Sequence, residues 1–166
     1  MNSAYRPACS LLFPFQPDRL IESPFHAFRF VSLIPFERIE TLGGKKLEIW
    51  HTFHSFLARG CGDSEDHSLL LCSLLLGFGL DAYVAVGTAG DEPHVWVLTR
   101  VQRLGSPLKT TVFWETVTGQ RLDADDPRVS KFYKTINCVF SHNKFYANIQ
   151  VDDRVFLLYA NLPIDP

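Results

Sequence analysis

The 166-residue sequence has no run of basic residues, and its formal net charge is −2 at pH 7. Proteins whose main partner is nucleic acid or an anionic membrane carry a surplus of positive charge. The sequence also lacks an uninterrupted apolar stretch of membrane-spanning length, because Gly77 and Gly79 break its most apolar segment. No cationic region followed by an apolar segment and a cleavage site opens the chain, so no signal peptide is predicted. We therefore expect neither nucleic-acid binding nor membrane insertion.

Metal-ligand spacing is missing as well. The four cysteines, Cys9, Cys61, Cys72 and Cys138, form no C-x-x-C pair, and the histidines form no H-x-x-x-H pair. We predict no metal site and no cofactor. Scattered free thiols are typical of a protein in a reducing compartment.

The amount of apolar sequence is sufficient for one domain. Hydrophobic residues make up 46% of the chain and aromatic residues 13%, enough for a single core at this length. Residues 1–27 contain Pro7, Pro14 and Pro17 and are predicted to form a proline-rich arm or linker. Residues 28–166 are predicted to form the domain.

One helix stands out in the sequence. The acidic stretch from Gly62 to His67 is followed by residues that are apolar on every helical face, which predicts a buried helix from Ser64 to Phe78 with Gly79 as its C-cap. Asp63 is the expected N-cap, and Asp66 lies three residues on, in the position of a capping box. The free N–H groups and positive dipole end of such a helix favour an anionic nucleophile.

Two downstream segments supply a base and a carboxylate. His94 and Glu115 each lie in a segment with the composition of a strand, and Gly105-Ser106-Pro107 between them predicts a hairpin turn. Folding back at this turn brings Glu115 within about one pairing position of His94, since opposed residues lie roughly 4.5–5.5 Å apart. A nucleophile at a helix start, an imidazole and an orienting carboxylate are the three parts of a catalytic triad.

The remaining elements complete an α+β pattern. A helix is predicted over Lys45 to Arg59, ended by Gly60, and an edge segment over Phe28 to Phe36. Further predictions are strands at Tyr83 to Thr88 and Thr135 to Phe140, a polar connection at Leu122 to Pro127, a short helix or strand at Phe145 to Ile149, and an edge strand at Val155 to Tyr159.

The order of these motifs resembles the transglutaminase-like superfamily, whose motif reads roughly G-D-C-x-D-H-A before a long apolar helix. Gly62 to His67, His94-Val95-Trp96 and Phe113-Trp114-Glu115 carry this resemblance. A narrower resemblance is to the transglutaminase-like domain family of centrosomal and cilium-base proteins. It rests on Leu70 to Leu80, Phe113 to Gly119 and Asn137 to His142, and covers about residues 28–150.

The resemblance implies a transglutaminase-like or papain-like α+β fold, with a central buried helix packed on an antiparallel sheet. It places Ser64, His94 and Glu115 at the triad positions. A serine hydroxyl is far less acidic than a thiol, so the helix dipole and an imidazolium cannot hold it as an anion. The serine therefore predicts a catalytically degenerate domain. The resemblance implies a peptide-binding or scaffolding module of a centriole, basal-body or cilium-base protein, cytoplasmic and associated with the cytoskeleton.

The predicted partner is a protein or peptide segment, of the cytoskeletal or centriolar kind that the resemblance implies. Asp63, Trp96 and Trp114 are the predicted peptide-binding residues, although both tryptophans equally suit the core. The alternative function is an active cysteine-type peptidase or amide transferase whose nucleophile is replaced by Ser64, naturally or by engineering. Ser64 also suits a residue that only caps or opens the helix, and Cys61, three residues before it, is an alternative candidate for a displaced nucleophile. No oligomeric state is predicted.

Overall fold

The structure is a computed structural model that describes residues 7–17, 20–37, 49–102, 105 and 109–149. After a short 3-10 helix at Ala8–Leu11, its described helices are α1 (Pro24–Ser32), α2 (Phe53–Arg59), α3 (Ser64–Gly77) and α4 (Pro127–Phe132). The described strands are β1 (Asp81–Ala89), β2 (Glu92–Gln102), β3 (Lys109–Glu115), β4 (Gln120–Asp123), β5 (Tyr133–Phe140) and β6 (Phe145–Ala147). None of the described helices is both long and apolar enough to cross a bilayer.

The described strands form one sheet in the order β4-β3-β2-β1-β5-β6, and every neighbouring pair is antiparallel. Side chains alternate between its two faces. Val95 and Val97 of β2 pack in one hydrophobic cluster with α3, whereas Trp96 and Leu98 pack in a second cluster on the other face. The predicted α+β class with an antiparallel sheet is confirmed.

Helix α3 is the centre of the larger cluster. Asp63 begins it as predicted, because its carboxylate accepts a hydrogen bond from the N–H of Asp66 at 3.0 Å. Ten of its fourteen residues are buried, which explains why its sequence is apolar on all faces. It ends one residue earlier than predicted, and Gly79 just beyond it has a positive φ of 78° that suits glycine.

The predicted edge segment at Phe28 to Phe36 is wrong, because most of it belongs to α1. Ser23 caps this helix by accepting from the N–H of His26, and Pro24 is fixed near helical φ in the first turn. Ala27, Phe28 and Val31 are its buried residues. Their spacing of three and four is helical, and it outweighs the apparent alternation.

The predicted helix over Lys45 to Arg59 is shorter in the structure, although residues 38–48 lie outside the described ranges. Thr52 caps α2 by accepting from the N–H of Ser55, so residues 49–52 precede the helix. Gly60 ends it as predicted, with φ of 70°. The competing cap at Thr52 explains the later start.

The N-terminal residues 7–17 lie against α2 and α3. Leu12 is only 3% exposed, and the ring of Phe13 lies 4.6 Å from that of Phe53. The N–H of Phe15 donates to the carbonyl of Ser73 at 3.0 Å. Helix α1 spans the predicted boundary between residues 27 and 28. The division into a proline-rich arm and a domain stays a prediction.

The C-terminal half differs from prediction in one stretch. The polar connection predicted at Leu122 to Pro127 contains the end of β4, and α4 follows where Asp126 caps and Pro127 starts the helix. The strand at Thr135 to Phe140 is confirmed, and the strand alternative is correct for Phe145 to Ala147. Ser106 and Pro107 of the predicted hairpin turn and the predicted strand at Val155 to Tyr159 lie outside the described residues.

Candidate active site

His94 and Glu115 are joined by a short hydrogen bond, 2.6 Å between Nε2 and Oε2. The register of β2 and β3 pairs Val97 with Trp114, which places His94 and Glu115 close together on one face of the sheet. Since an ionised carboxylate can only accept, Nε2 carries the proton in this pair. The other ring nitrogen, Nδ1, has no hydrogen-bond partner among the described residues and is the nitrogen left to take a proton.

Glu115 is almost completely buried, with 2% of its surface exposed. Besides His94, the hydroxyl of Tyr133 donates to its Oε2 at 3.1 Å, and the N–H of Val117 donates to its Oε1 at 3.1 Å. These three donors offset the cost of burying a carboxylate. They also fix its orientation, and through it the orientation of the imidazole.

Aromatic rings enclose the imidazole of His94. It lies parallel to the ring of Trp96 at 5.9 Å and near-parallel to that of Tyr133 at 6.4 Å, with the edge of Phe132 at 6.1 Å. The side chain keeps 14% of its surface exposed. The ring is thus held in one orientation but is still reachable from solvent.

Ser64 is the first residue of α3, and its hydroxyl donates to Oε2 of Glu65 at 2.9 Å. No hydrogen bond joins it to His94 within the described part of the chain. It does not cap the helix, because Asp63 does. The structure therefore has a formed imidazole–carboxylate pair and a nucleophile-position hydroxyl that is bonded elsewhere.

The charges around Ser64 disfavour an anion. Burial raises the pKa of Glu65, and the negative charge of Asp63 raises it further. Burial and Asp63 likewise raise the pKa of Asp66, which His51 partly opposes. Burial disfavours any anion there, and the contribution of Asp63 indicates a negative potential at the helix start, which works against the dipole of α3.

A family model described as the CEP76 peptidase-like domain matches residues 48–162, a stretch that contains Ser64, His94 and Glu115. The chain belongs to the CEP76 peptidase-like family.

Two curated relatives illustrate the extent of the similarity. The chain is 47% identical to the centrosomal protein of 76 kDa of Xenopus tropicalis and 44% identical to that of Homo sapiens, in each case over 93% of its own length. It spans about a quarter of these relatives, 24% and 25% of their respective lengths.

The fold has a solved neighbour in calcium-bound LapG of Legionella pneumophila. The two chains superpose with a TM-score of 0.59 over 89% of this chain and 77% of the other, at 14% sequence identity. This similarity shows the fold alone, and it confirms the papain-like, transglutaminase-like class predicted for the CEP76 peptidase-like domain.

The two predicted peptide-binding tryptophans differ from His94 in their exposure to solvent. Trp96 is 0% exposed and Trp114 2% exposed, so a partner arriving from solvent finds no face of either indole. Trp114 donates from Nε1 to Thr99 Oγ1 at 2.8 Å, and the guanidinium of Arg121 covers its ring. Both indoles are core residues of the domain. Asp63 is half-buried and acts as the N-cap, and its contact with a peptide stays a prediction.

The predicted capping box at Asp66 is wrong. Its carboxylate turns to His51, whose Nδ1 lies 3.2 Å from Oδ1 and whose backbone N–H donates to the same oxygen at 3.3 Å. Asp66 is 1% exposed, and Arg59 lies 4.0 Å from its second oxygen. The sequence carries no signal for this pair, because His51 precedes α2 rather than lying on it.

Cys61 does not have the surroundings of a nucleophile. Its thiol donates to Oε2 of Glu37 at 2.8 Å, and this hydrogen bond is the main reason that its pKa is raised. A reactive cysteine needs the opposite shift. Within the described ranges, no group of three His, Cys, Asp or Glu side chains could hold a metal ion.

Proposed function

We propose that this domain is a catalytically degenerate member of the CEP76 peptidase-like family that binds a protein or peptide segment without cleaving it. The observation that carries the proposal is at Ser64. A hydroxyl stands at the nucleophile position and donates to the carboxylate of Glu65 rather than to His94, next to a second acidic residue, Asp63. Neither a thiolate nor an activated alkoxide is favoured there.

The retained parts of the site support a binding role. The His94–Glu115 pair and its enclosing rings form a defined, partly exposed polar centre on the sheet. The relatives are named as centrosomal proteins, and this chain matches a quarter of their length. We propose that the domain acts as a scaffolding module at a centrosome, basal body or cilium base, with a cytoskeletal or centriolar protein as partner.

A second candidate is an active peptidase or amide transferase. The 2.6 Å bond between His94 and Glu115 favours it, because a serine or cysteine nucleophile needs an imidazole as its base and a carboxylate that orients the imidazole. The two candidates differ in whether Ser64 reacts.

The test exposes the purified chain to a fluorophosphonate probe, which labels activated serines, and locates the label by peptide mass spectrometry. A glutamine-containing peptide with a primary amine donor is assayed in parallel for ammonia release. We expect no label on Ser64 and no ammonia above the level of His94→Ala. Labelling of Ser64 that disappears in His94→Ala would establish the enzyme and overturn the proposal.

A further inference from the structure

A cavity of about 320 Å³ opens beside Glu115, between the β3–β4 turn and α4. Its buried lining is formed by Glu115, Leu122 and Tyr133, and Phe132 and Lys131 are exposed at its rim. Ligand sites run from roughly 300 to 1,000 Å³, so this cavity is at the small end. It suits one or two side chains rather than a nucleotide or another large cofactor.

The cavity is continuous with the candidate active site. Glu115 lines the cavity and holds His94 by its Oε2, and Tyr133 donates to the same oxygen. The rings of Phe132 and Tyr133 contact both the cavity and the imidazole. A peptide passing over His94 would therefore reach the cavity with a neighbouring side chain.

The charge at the rim is positive. Within the described part of the chain, the Lys131 ammonium makes no ion pair or hydrogen bond. Arg128 also lines the cavity, but its Nη2 lies 2.7 Å from Asp126, which compensates its charge. The one lining carboxylate, Glu115, is paired with His94. An uncompensated ammonium beside an apolar floor matches a ligand that is apolar with a carboxylate next to it.

We propose that this cavity is a side-chain subsite for a peptide in which a large apolar residue adjoins an acidic one. The apolar side chain lies on Leu122 and Tyr133, and the carboxylate meets Lys131. This inference rests on the proposed function, since it names the chemistry of the segment that the domain would bind.

The test uses three blocked nine-residue peptides of Gly and Ser with central Glu-Leu-Glu, Lys-Leu-Lys or Glu-Ala-Glu. Each is titrated into ¹⁵N-labelled protein while the amide shifts of Leu122 and Phe132 report on the cavity and those of Ser64 and Glu65 on the helix start. We expect the Glu-Leu-Glu peptide to move the cavity amides with at least fivefold higher affinity than either other peptide. Equal binding of all three would overturn the proposal.

Two lysine variants test whether the positive charge at the cavity rim contributes to peptide binding. Lys131→Glu should lower the affinity for the Glu-Leu-Glu peptide at least fivefold, because it reverses the charge at the rim. Lys134→Glu makes the same change on an exposed residue that does not line the cavity, and it should stay within twofold of the parent. Equal weakening by both variants would mean a general charge effect and would contradict the subsite.

The failure of this inference is distinguishable from failure of the proposed function. Shifts confined to Ser64 and Glu65 would overturn the cavity as a subsite while leaving non-catalytic peptide binding intact. The fluorophosphonate result decides the absence of catalysis and does not depend on where a peptide binds.

Discussion

Tyr133 and His94 donate hydrogen bonds to the same oxygen of Glu115, from 3.1 and 2.6 Å. Tyr133 begins β5, which lies on the far side of β1 from the strand that carries His94. The orientation of the imidazole thus depends on a residue of β5, a strand that carries none of the triad positions. Tyr133 is a positioning residue, and its hydroxyl can be removed without changing the shape of the ring.

We expect Tyr133→Phe to lower the free energy of unfolding by about 1–3 kcal/mol, because it removes a donor from a buried carboxylate. Urea denaturation followed by circular dichroism measures this. Tyr146→Phe is the matched control, since no hydrogen bond of its half-buried hydroxyl is found among the described residues, and it should change stability by less than about 0.5 kcal/mol. Equal effects from both variants would show that the hydroxyl of Tyr133 does not support Glu115.

Ser64→Cys tests the potential at the helix start. The new thiol should react with iodoacetamide at pH 7 faster than Cys72, because Cys72 is fully buried and its pKa is raised far above the ordinary thiol value. Adding Glu65→Gln should raise the rate at position 64 several-fold, because it removes a neighbouring negative charge that opposes the thiolate. Site-resolved mass spectrometry follows each cysteine separately.

The control for that experiment is Glu22→Gln, which removes a carboxylate from an exposed site before α1. It should leave the labelling rate at position 64 unchanged. A rate that Glu65→Gln does not alter would show that neighbouring carboxylates do not govern the site.

The core of α3 should dominate stability. Leu71 and Leu75 are both 0% exposed, so replacing either with Ala should cost about 2–5 kcal/mol in the free energy of unfolding. Ser64→Ala removes only a half-buried hydroxyl bonded to its neighbour and should cost less than about 1.5 kcal/mol. A Leu71→Ala protein as stable as the parent, in the same urea titration, would place the core elsewhere.

Asp66 should make the free energy of unfolding depend on pH. Because burial and Asp63 raise its pKa in the folded state, the folded protein binds this proton more tightly than the unfolded chain does. Stability then falls as the pH rises from the ordinary aspartate pKa of about 3.9 towards the raised value. Asp66→Asn should remove that fall, seen as a smaller difference in urea midpoint across the same pH range.

Asp126 should change the free energy of unfolding with pH in the opposite direction. Hydrogen bonds from the side chain and the backbone N–H of Arg128 lower the pKa of Asp126 to about 2. Its contribution to stability is therefore present above the ordinary aspartate pKa and is lost as the pH falls towards 2. Asp126→Asn keeps a capping side chain on α4 and should remove an acid-side loss of stability. The two variants should therefore change the pH profile in opposite directions, and changes of the same sign would contradict the assigned pKa shifts.

Local signals in the sequence were enough for the elements that position the site. The cap at Asp63 and the all-round apolar character predicted α3, and the composition of two strands with a turn between them predicted the contact of His94 with Glu115. Each of these depends on neighbours in sequence or on a single short connection. The register of a hairpin is fixed by its turn, so one carboxylate could be placed beside one imidazole.

The parts that the sequence did not predict depend on long-range packing. Helix α1 looked alternating because phenylalanines fill both its buried and its exposed faces. Helix α4 has six residues, too few for a helical period to be recognised. The His51–Asp66 pair joins a residue outside any helix to one inside α3, and only the fold brings them together.

The close approach of residues 7–17 to α3 makes two distant positions depend on each other. A Cβ at Gly77 would collide with the carbonyl oxygen of Phe15, whose N–H is bonded to Ser73 one turn earlier. Any larger residue at position 77 would therefore push the N-terminal segment off the helix and uncover Leu12 and Phe53. The unit that folds is in this respect larger than the stretch that the family model matches, and a chain shortened to begin at residue 48 would expose one side of its central helix to water.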